Sequence, residues 1–227
     1  PSELFEVVLT DVTGGDAVIG DATATVTIVD NDQAVVTRWN AGGETVAAVD
    51  GGADWLSTGA TIIGESAVFT AANAANNGLD SSVPAGTTPT GLYTAELWGA
   101  SANNPLGLEF GNGTLGEGTY AVRLFMGNGW DGTSASGQRV FDVSIEGQSF
   151  QSNIDLTGTF GHKVGGMYEW IGAVTDGTVD IDFTHVTQNP LINAVEIVTF
   201  DTKVTPTVSV ADATVNEASG SISVAIS

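Results

Sequence analysis

The sequence predicts an all-β protein built as an antiparallel sandwich, and three observations carry that expectation. Thr, Val, Ser, Asn, Asp and 30 Gly dominate while Lys and Glu are few, a mixture that disfavours helices and suits short strands joined by tight turns. Apolar residues recur at every second position in several segments, and Gly- and Asn-rich punctuation falls between them. No stretch has the period of a helix longer than a few turns.

Taken in order, Phe5, Val7 and Leu9 alternate with polar neighbours, a Gly14-Gly15 turn follows, and Ala24, Val26 and Ile28 alternate with Thr25 and Thr27. That is a hairpin with one apolar face, covering residues 1–32. Residues 33–204 suit a single sandwich. Within them Tyr120, Val122 and Leu124 alternate with Ala121, Arg123 and Phe125, and Phe141, Val143 and Ile145 with Asp142, Ser144 and Glu146. Val179, Ile181 and Phe183 do the same with Asp180 and Asp182, which predicts solvent-facing acids. Turns are expected at Gly111–Gly113, Gly127-Asn128-Gly129, Glu146-Gly147 and Asp176-Gly177. The last segment, 205–227, carries Val208 and Val210, a turn near Asn216-Glu217, then Ile222, Val224 and Ile226. A two-stranded hairpin is marginal alone, so each end is expected to complete a sheet with another element.

Five Lys+Arg stand against 27 Asp+Glu, a net charge of −22, and the five cations Arg38, Arg123, Arg139, Lys163 and Lys203 read as scattered. Phosphate recognition needs a basic patch, so nucleic acid is excluded as a partner. An excess of hard oxygen ligands suits Ca²⁺, although acidity serves solubility in salty surroundings equally well. There is no cysteine, hence no disulfide and no thiolate metal site. No apolar run is long enough to span a bilayer and no signal peptide opens the chain, so membrane insertion is not expected and the sequence reads as an internal piece of a longer one.

Phe5-Glu6-Val7-Val8-Leu9 with Ala24 through Asp32 resembles the closing strands of a Calx-β repeat, and Val208 through Ala213 with Val215-Asn216-Glu217 resembles the opening strands of the next. A C-terminal half followed by an N-terminal half implies that the central unit lies between consecutive repeats of a long secreted or surface protein, as in large RTX-type bacterial adhesins. The resemblance also implies structural Ca²⁺ held by Asp30, Asp32 and Glu217. The alternative reading of these acids is as solvated turn residues.

The middle of the chain resembles the malectin family, in Arg38-Trp39-Asn40-Ala41-Gly42-Gly43 with Asp50 and Trp55, then Leu92–Glu96, Gly118–Phe125, Gly137–Val143, Asn153-Ile154-Asp155 and Pro190–Ile197. The resemblance implies a jelly-roll-like sandwich, here flanked by two half Calx-β (Ig-like) segments, that binds gluco-oligosaccharides or related glycans through loops at one rim, and the acidity of the chain favours neutral sugars among them. A pyranose packs its C–H face on an indole while its hydroxyls need a few oriented polar groups. Trp130, in Gly127-Asn128-Gly129-Trp130-Asp131-Gly132, and Trp98 are the favoured platforms. Trp55 is open between rim and core, as is Tyr93 between rim contact and strand-end hydroxyl; Trp39 and Trp170 are assigned to packing. Gln188 and Asn189 are the candidate polar partners, amides where the resemblance implies an acid, and Leu97 stands where many relatives carry Arg.

No carboxylate pair, histidine or serine motif marks a catalytic site. His162 and His185 lack a nucleophile motif, and Gly132-Thr133-Ser134-Ala135-Ser136 fails Gly-x-Ser-x-Gly at its last position. The chain is therefore expected not to be an enzyme. Its alternatives to a glycan-binding module are a structural spacer with a degenerate site and an ancillary module of a larger enzyme.

Overall fold

The computed structural model of the chain describes residues 3–8, 23–28, 34–70 and 74–200. Strands β1 (Glu3–Val8) and β2 (Thr23–Ile28) form the expected hairpin, with Phe5 opposite Val26 and Val7 opposite Ala24. Among the described residues they hydrogen-bond only to each other, so the expected sheet completion does not involve any other described strand. The predicted Ca²⁺ ligands Asp30, Asp32 and Glu217, and the whole final segment, lie outside the described residues.

The remaining strands are β3 (Val35–Asn40), β4 (Thr61–Ile63), β5 (Ser66–Phe69), β6 (Glu96–Gly99), β7 (Gly107–Phe110), β8 (Gly118–Met126), β9 (Val140–Ile145), β10 (Gln148–Ile154), β11 (Gly166–Val174), β12 (Val179–Thr187), β13 (Leu191–Ile192) and β14 (Ala194–Thr199). Among the described residues the one α-helix is a single turn, α1 (Leu156–Thr159), which follows β10. One sheet runs β10-β9-β12-β7-β4, a second β11-β8-β14-β3, and a small third β13-β6-β5, every strand pair antiparallel. Sequence alternation explains the core directly. Phe141, Val143 and Ile145 of β9, Val179, Ile181 and Phe183 of β12, Val122, Leu124 and Met126 of β8, and Val195 and Ile197 of β14 are all buried in one cluster. Trp39 joins it edge-on to Phe110 at 5.8 Å, and Trp170 packs against its margin, so both are packing residues.

Strand β8 departs from simple alternation, because Ala121 and Phe125 on its other face are also buried. The cover is a second cluster in which Trp55, Leu92, Tyr93 and Phe125 meet, Trp55 and Phe125 edge to face at 5.1 Å. Strand alternation identifies a face; it does not say whether a loop will fold over it.

Charge crosses the same sheet in a row. Glu196 of β14 sits opposite Arg38 of β3 on one side and Arg123 of β8 on the other, and Arg123 sits opposite Glu169 of β11. The Arg38 Nε donates to Glu196 Oε1 at 2.7 Å, Arg123 Nη1 to Glu196 Oε2 at 2.8 Å, and Arg123 Nε to Glu169 Oε2 at 2.7 Å. Asp50 closes the row, accepting from Arg38 Nη1 at 3.0 Å and Nη2 at 2.5 Å. Two of the five cations that read as scattered, Arg38 and Arg123, are thus drawn together by strand register.

The Glu146-Gly147 turn forms as expected, with φ of 53° and 66° at the two residues linking β9 and β10. Two successive positive φ values match the strand twist, and glycine takes the second without strain. Gly127-Asn128-Gly129 is different: none of the three has positive φ, and Asn128 is fully buried. It is an anchored loop rather than a tight turn.

Candidate functional site

A cavity of about 230 Å³ opens where the β8–β9 and β12–β13 connections meet β5 and β6. Its wall brings together Trp98, Trp130, Gln188 and Asn189, four of the six residues singled out as sugar contacts. Trp55 and Tyr93 are not among them. Trp55 is 1% exposed and lies against the Arg38 guanidinium at 5.2 Å; Tyr93 is fully buried and donates its hydroxyl to the Gly166 carbonyl at 3.0 Å. Both serve the second core cluster, and burial drives the Tyr93 pKa well above its usual value.

Trp130 owes its position to the anchored loop. Asn128 donates to the Thr133 carbonyl at 2.6 Å and to Thr157 Oγ1 at 3.0 Å, and accepts from Thr133 Oγ1 at 3.0 Å. This clamps both ends of a short 3₁₀ turn over Asp131–Thr133, just beyond Trp130. The indole lies against Gly132, where an added Cβ would stand 2.3 Å from Trp130 Cζ2. Lys163 Nζ and His162 Nε2 hold Asp131 at 2.8 and 3.1 Å, and these contacts keep its carboxyl below the ordinary range. The ring is left 39% exposed. Trp98 follows Glu96 by two residues on β6, so alternation turns both to the same side, and Trp98 is partly supported by the main core.

Opposite, Gln188 adopts a left-handed φ of 62°, and its Oε1 accepts from the Asn189 amide at 2.8 Å. The loop therefore presents amide groups to the cavity without a carboxylate.

Two charged side chains outside the six expected contacts complete the wall. Glu96 and Arg139 are 1% and 5% exposed, and Arg139 Nη1 reaches Glu96 Oε1 at 3.3 Å. Burial pushes the Glu96 carboxyl up and the Arg139 guanidinium down, and their mutual attraction opposes both shifts. One contact leaves Glu96 Oε2 and Arg139 Nε buried without hydrogen-bond partners. The Arg139 guanidinium also stands 5.9 Å from the Trp130 ring centroid. Nothing local marks this pair in the sequence, because its members are separated by 43 positions. Among the described residues no group of three or more His, Cys, Asp or Glu side chains is placed to hold a metal ion.

The site is thus an indole-walled cavity at one edge of an antiparallel β-sandwich, lined by loops and a buried ion pair. The malectin domain model matches residues 35–205, and the chain belongs to the malectin domain family. Among solved structures, the ANXUR1 extracellular domain from Arabidopsis thaliana is 18% identical with a TM-score of 0.62, covering 75% of this chain and 49% of that one. The plant receptor-like kinase FER is 21% identical with a TM-score of 0.62, covering 77% and 52%. A beta-glucuronidase of Bacteroides uniformis is 12% identical with a TM-score of 0.52, covering 80% and 21%. Identities this low establish a shared fold and nothing finer. The chain spans about half the length of the plant structures it matches. No curated protein matches the chain.

Proposed function

We propose that residues 33–204 form a non-catalytic carbohydrate-binding module that takes neutral gluco-oligosaccharides in the cavity between Trp98 and Trp130. The observation that carries this reading is the convergence of two indoles with the amides of Gln188 and Asn189 on one sugar-sized cavity. The indoles offer apolar faces to a pyranose ring, and amides both donate and accept, as hydroxyls require. A chain of net charge −22 repels uronic and sialic acids, which favours neutral hexoses. Titration calorimetry of the chain with α- and β-linked glucose oligosaccharides tests the proposal. Trp130→Ala is expected to cost about 1–3 kcal/mol of binding, by analogy with stacking on other aromatic platforms, with the melting temperature little changed because the ring is 39% exposed. Wild-type protein that binds none of these sugars would leave the domain a structural spacer.

The setting we propose is a secreted or cell-surface bacterial adhesin in which the module lies between Calx-β repeats, with Ca²⁺ held by Asp30, Asp32 and Glu217. The support is sequence resemblance together with an acid-rich chain that has few cations to balance it. A site saturated at a hundred times its dissociation constant adds about 2.7 kcal/mol of stability. Ca²⁺ is therefore expected to raise the melting temperature and EGTA to reverse the rise. An Asp30→Asn/Asp32→Asn variant should lose the response, and an unchanged wild-type melt would remove the ion from the proposal.

A further inference from the structure

We propose that the Glu96–Arg139 pair is the specificity-determining element of the cavity and that it reads two adjacent hydroxyls of a single sugar ring. This rests on the carbohydrate-binding reading above and names the feature of the sugar that the site selects. The pair is unusual in its incompleteness. A buried carboxylate and guanidinium normally meet through two parallel hydrogen bonds, whereas here a single contact of 3.3 Å joins them and each keeps one buried atom unpaired. Such orphans are costly in a folded protein, and a ligand that satisfies both gains what the free protein forgoes.

The chemistry of the two orphans restricts what can satisfy them. Glu96 Oε2 only accepts and Arg139 Nε only donates, so the ligand must present a donor and an acceptor together on one side. Neighbouring hydroxyls of a pyranose in gauche relation do so: one gives its proton to Glu96 Oε2, and the other accepts from Arg139 Nε. The N–H and C=O of a trans acetamido group point in opposite directions and cannot serve both atoms at once. A uronate carboxylate has no proton for Glu96 at neutral pH and would be repelled by it.

Both orphan atoms are closed off in the free protein, so a ligand reaches them only when a covering side chain yields. Within the proposal Trp130 is the side chain that yields, since it is the exposed indole of a wall it shares with Glu96 and its ring centroid stands 5.9 Å from the Arg139 guanidinium. Its ring moves aside as the sugar enters and then stacks on the sugar face, while the diol takes the ion pair.

Calorimetry of the 227-residue chain with α- and β-linked glucose disaccharides, followed by the monodeoxy analogues of each disaccharide bound, tests the assignment. Removal of either of two neighbouring hydroxyls should weaken binding about ten- to a hundredfold, as expected for hydrogen bonds to charged groups, with the other positions nearly silent. The variant Glu96→Met/Arg139→Met replaces the pair by apolar side chains of similar length. It should fold with an undiminished melting temperature, bind the parent sugar as weakly as the wild type binds the deoxy analogues, and cease to distinguish among them. Uniform binding of all monodeoxy analogues, or full affinity in the double variant, overturns the assignment even where Trp130→Ala still abolishes binding, which leaves the carbohydrate reading standing. Failure of the wild type to bind any of the sugars overturns both.

Discussion

Arg38→Met should lower the unfolding free energy by about 3–5 kcal/mol, the range for removing one partner of a buried ion pair. The side chain is 5% exposed and serves two carboxylates at once, Glu196 on the neighbouring strand and Asp50 in the covering loop. It also donates from Nη1 to the Ala53 carbonyl at 2.9 Å and packs against Trp55, so the loop that lids Phe125 is tied down through this one residue. Urea unfolding measures the loss; a change below about 1 kcal/mol would place the interaction among ordinary surface pairs. The acid limb supplies a second reading. The hydrogen bond from Arg38 holds the Asp50 carboxyl at about 2 against an ordinary 3.8, with burial opposing it. A depressed carboxyl contributes stability that is fully present above its unfolded value and fades as pH falls through the folded one. Wild-type protein should therefore lose this contribution between about pH 4 and pH 2, and Arg38→Met should show no corresponding loss in that window.

Asn193→Ala is expected to cost about 2–4 kcal/mol, because it leaves two buried backbone groups unpaired at once. Asn193 is fully buried; its Nδ2 donates to the Ala95 carbonyl at 2.7 Å and its Oδ1 accepts from the Gly127 amide at 2.8 Å. Those partners sit at the start of β6, which carries Glu96 and Trp98, and at the exit of β8, where the Trp130 loop begins. A single amide thus ties two walls of the cavity to β14. Hydrogen exchange at the Gly127 amide should accelerate by more than the global stability loss accounts for, and the affinity for any bound sugar should fall although Asn193 does not line the cavity. Unchanged protection of Gly127 would mean that another group had taken the place of Oδ1.

Alternation placed Phe141, Val143 and Ile145 of β9 and Val179, Ile181 and Phe183 of β12 in the core, since a strand in a double sheet has one face to bury. Flanking glycines correctly implied that Trp130 is exposed. For Trp55 the sequence leaves rim and core open, since its neighbours Gly51, Gly52 and Asp54 suit a loop, and the structure buries it. Its burial comes from Arg38 and Phe125, contacts that only the folded chain supplies. The Glu96–Arg139 pair failed for a related reason. A charged residue, whether in a strand like Glu96 or in a connection like Arg139, reads as solvent-facing until the partner that permits its burial is known.

The row Glu169–Arg123–Glu196–Arg38 also settles an ambiguity that apolar patterning leaves open. Sliding a strand by one residue turns its apolar face outward and is forbidden by burial, but sliding by two preserves the pattern. Strand β14 could lie two residues out of place against β8 and still present alternating apolar side chains to the core. Such a slip would set Glu196 opposite Ala121 or Phe125 instead of Arg123, stranding a buried carboxylate against apolar neighbours. On β11 it would set Met167 or Ile171 opposite Arg123. The ionic row therefore acts as a checksum on strand pairing: it contributes little to telling inside from outside, and it rejects the misaligned sheets that hydrophobicity alone would accept.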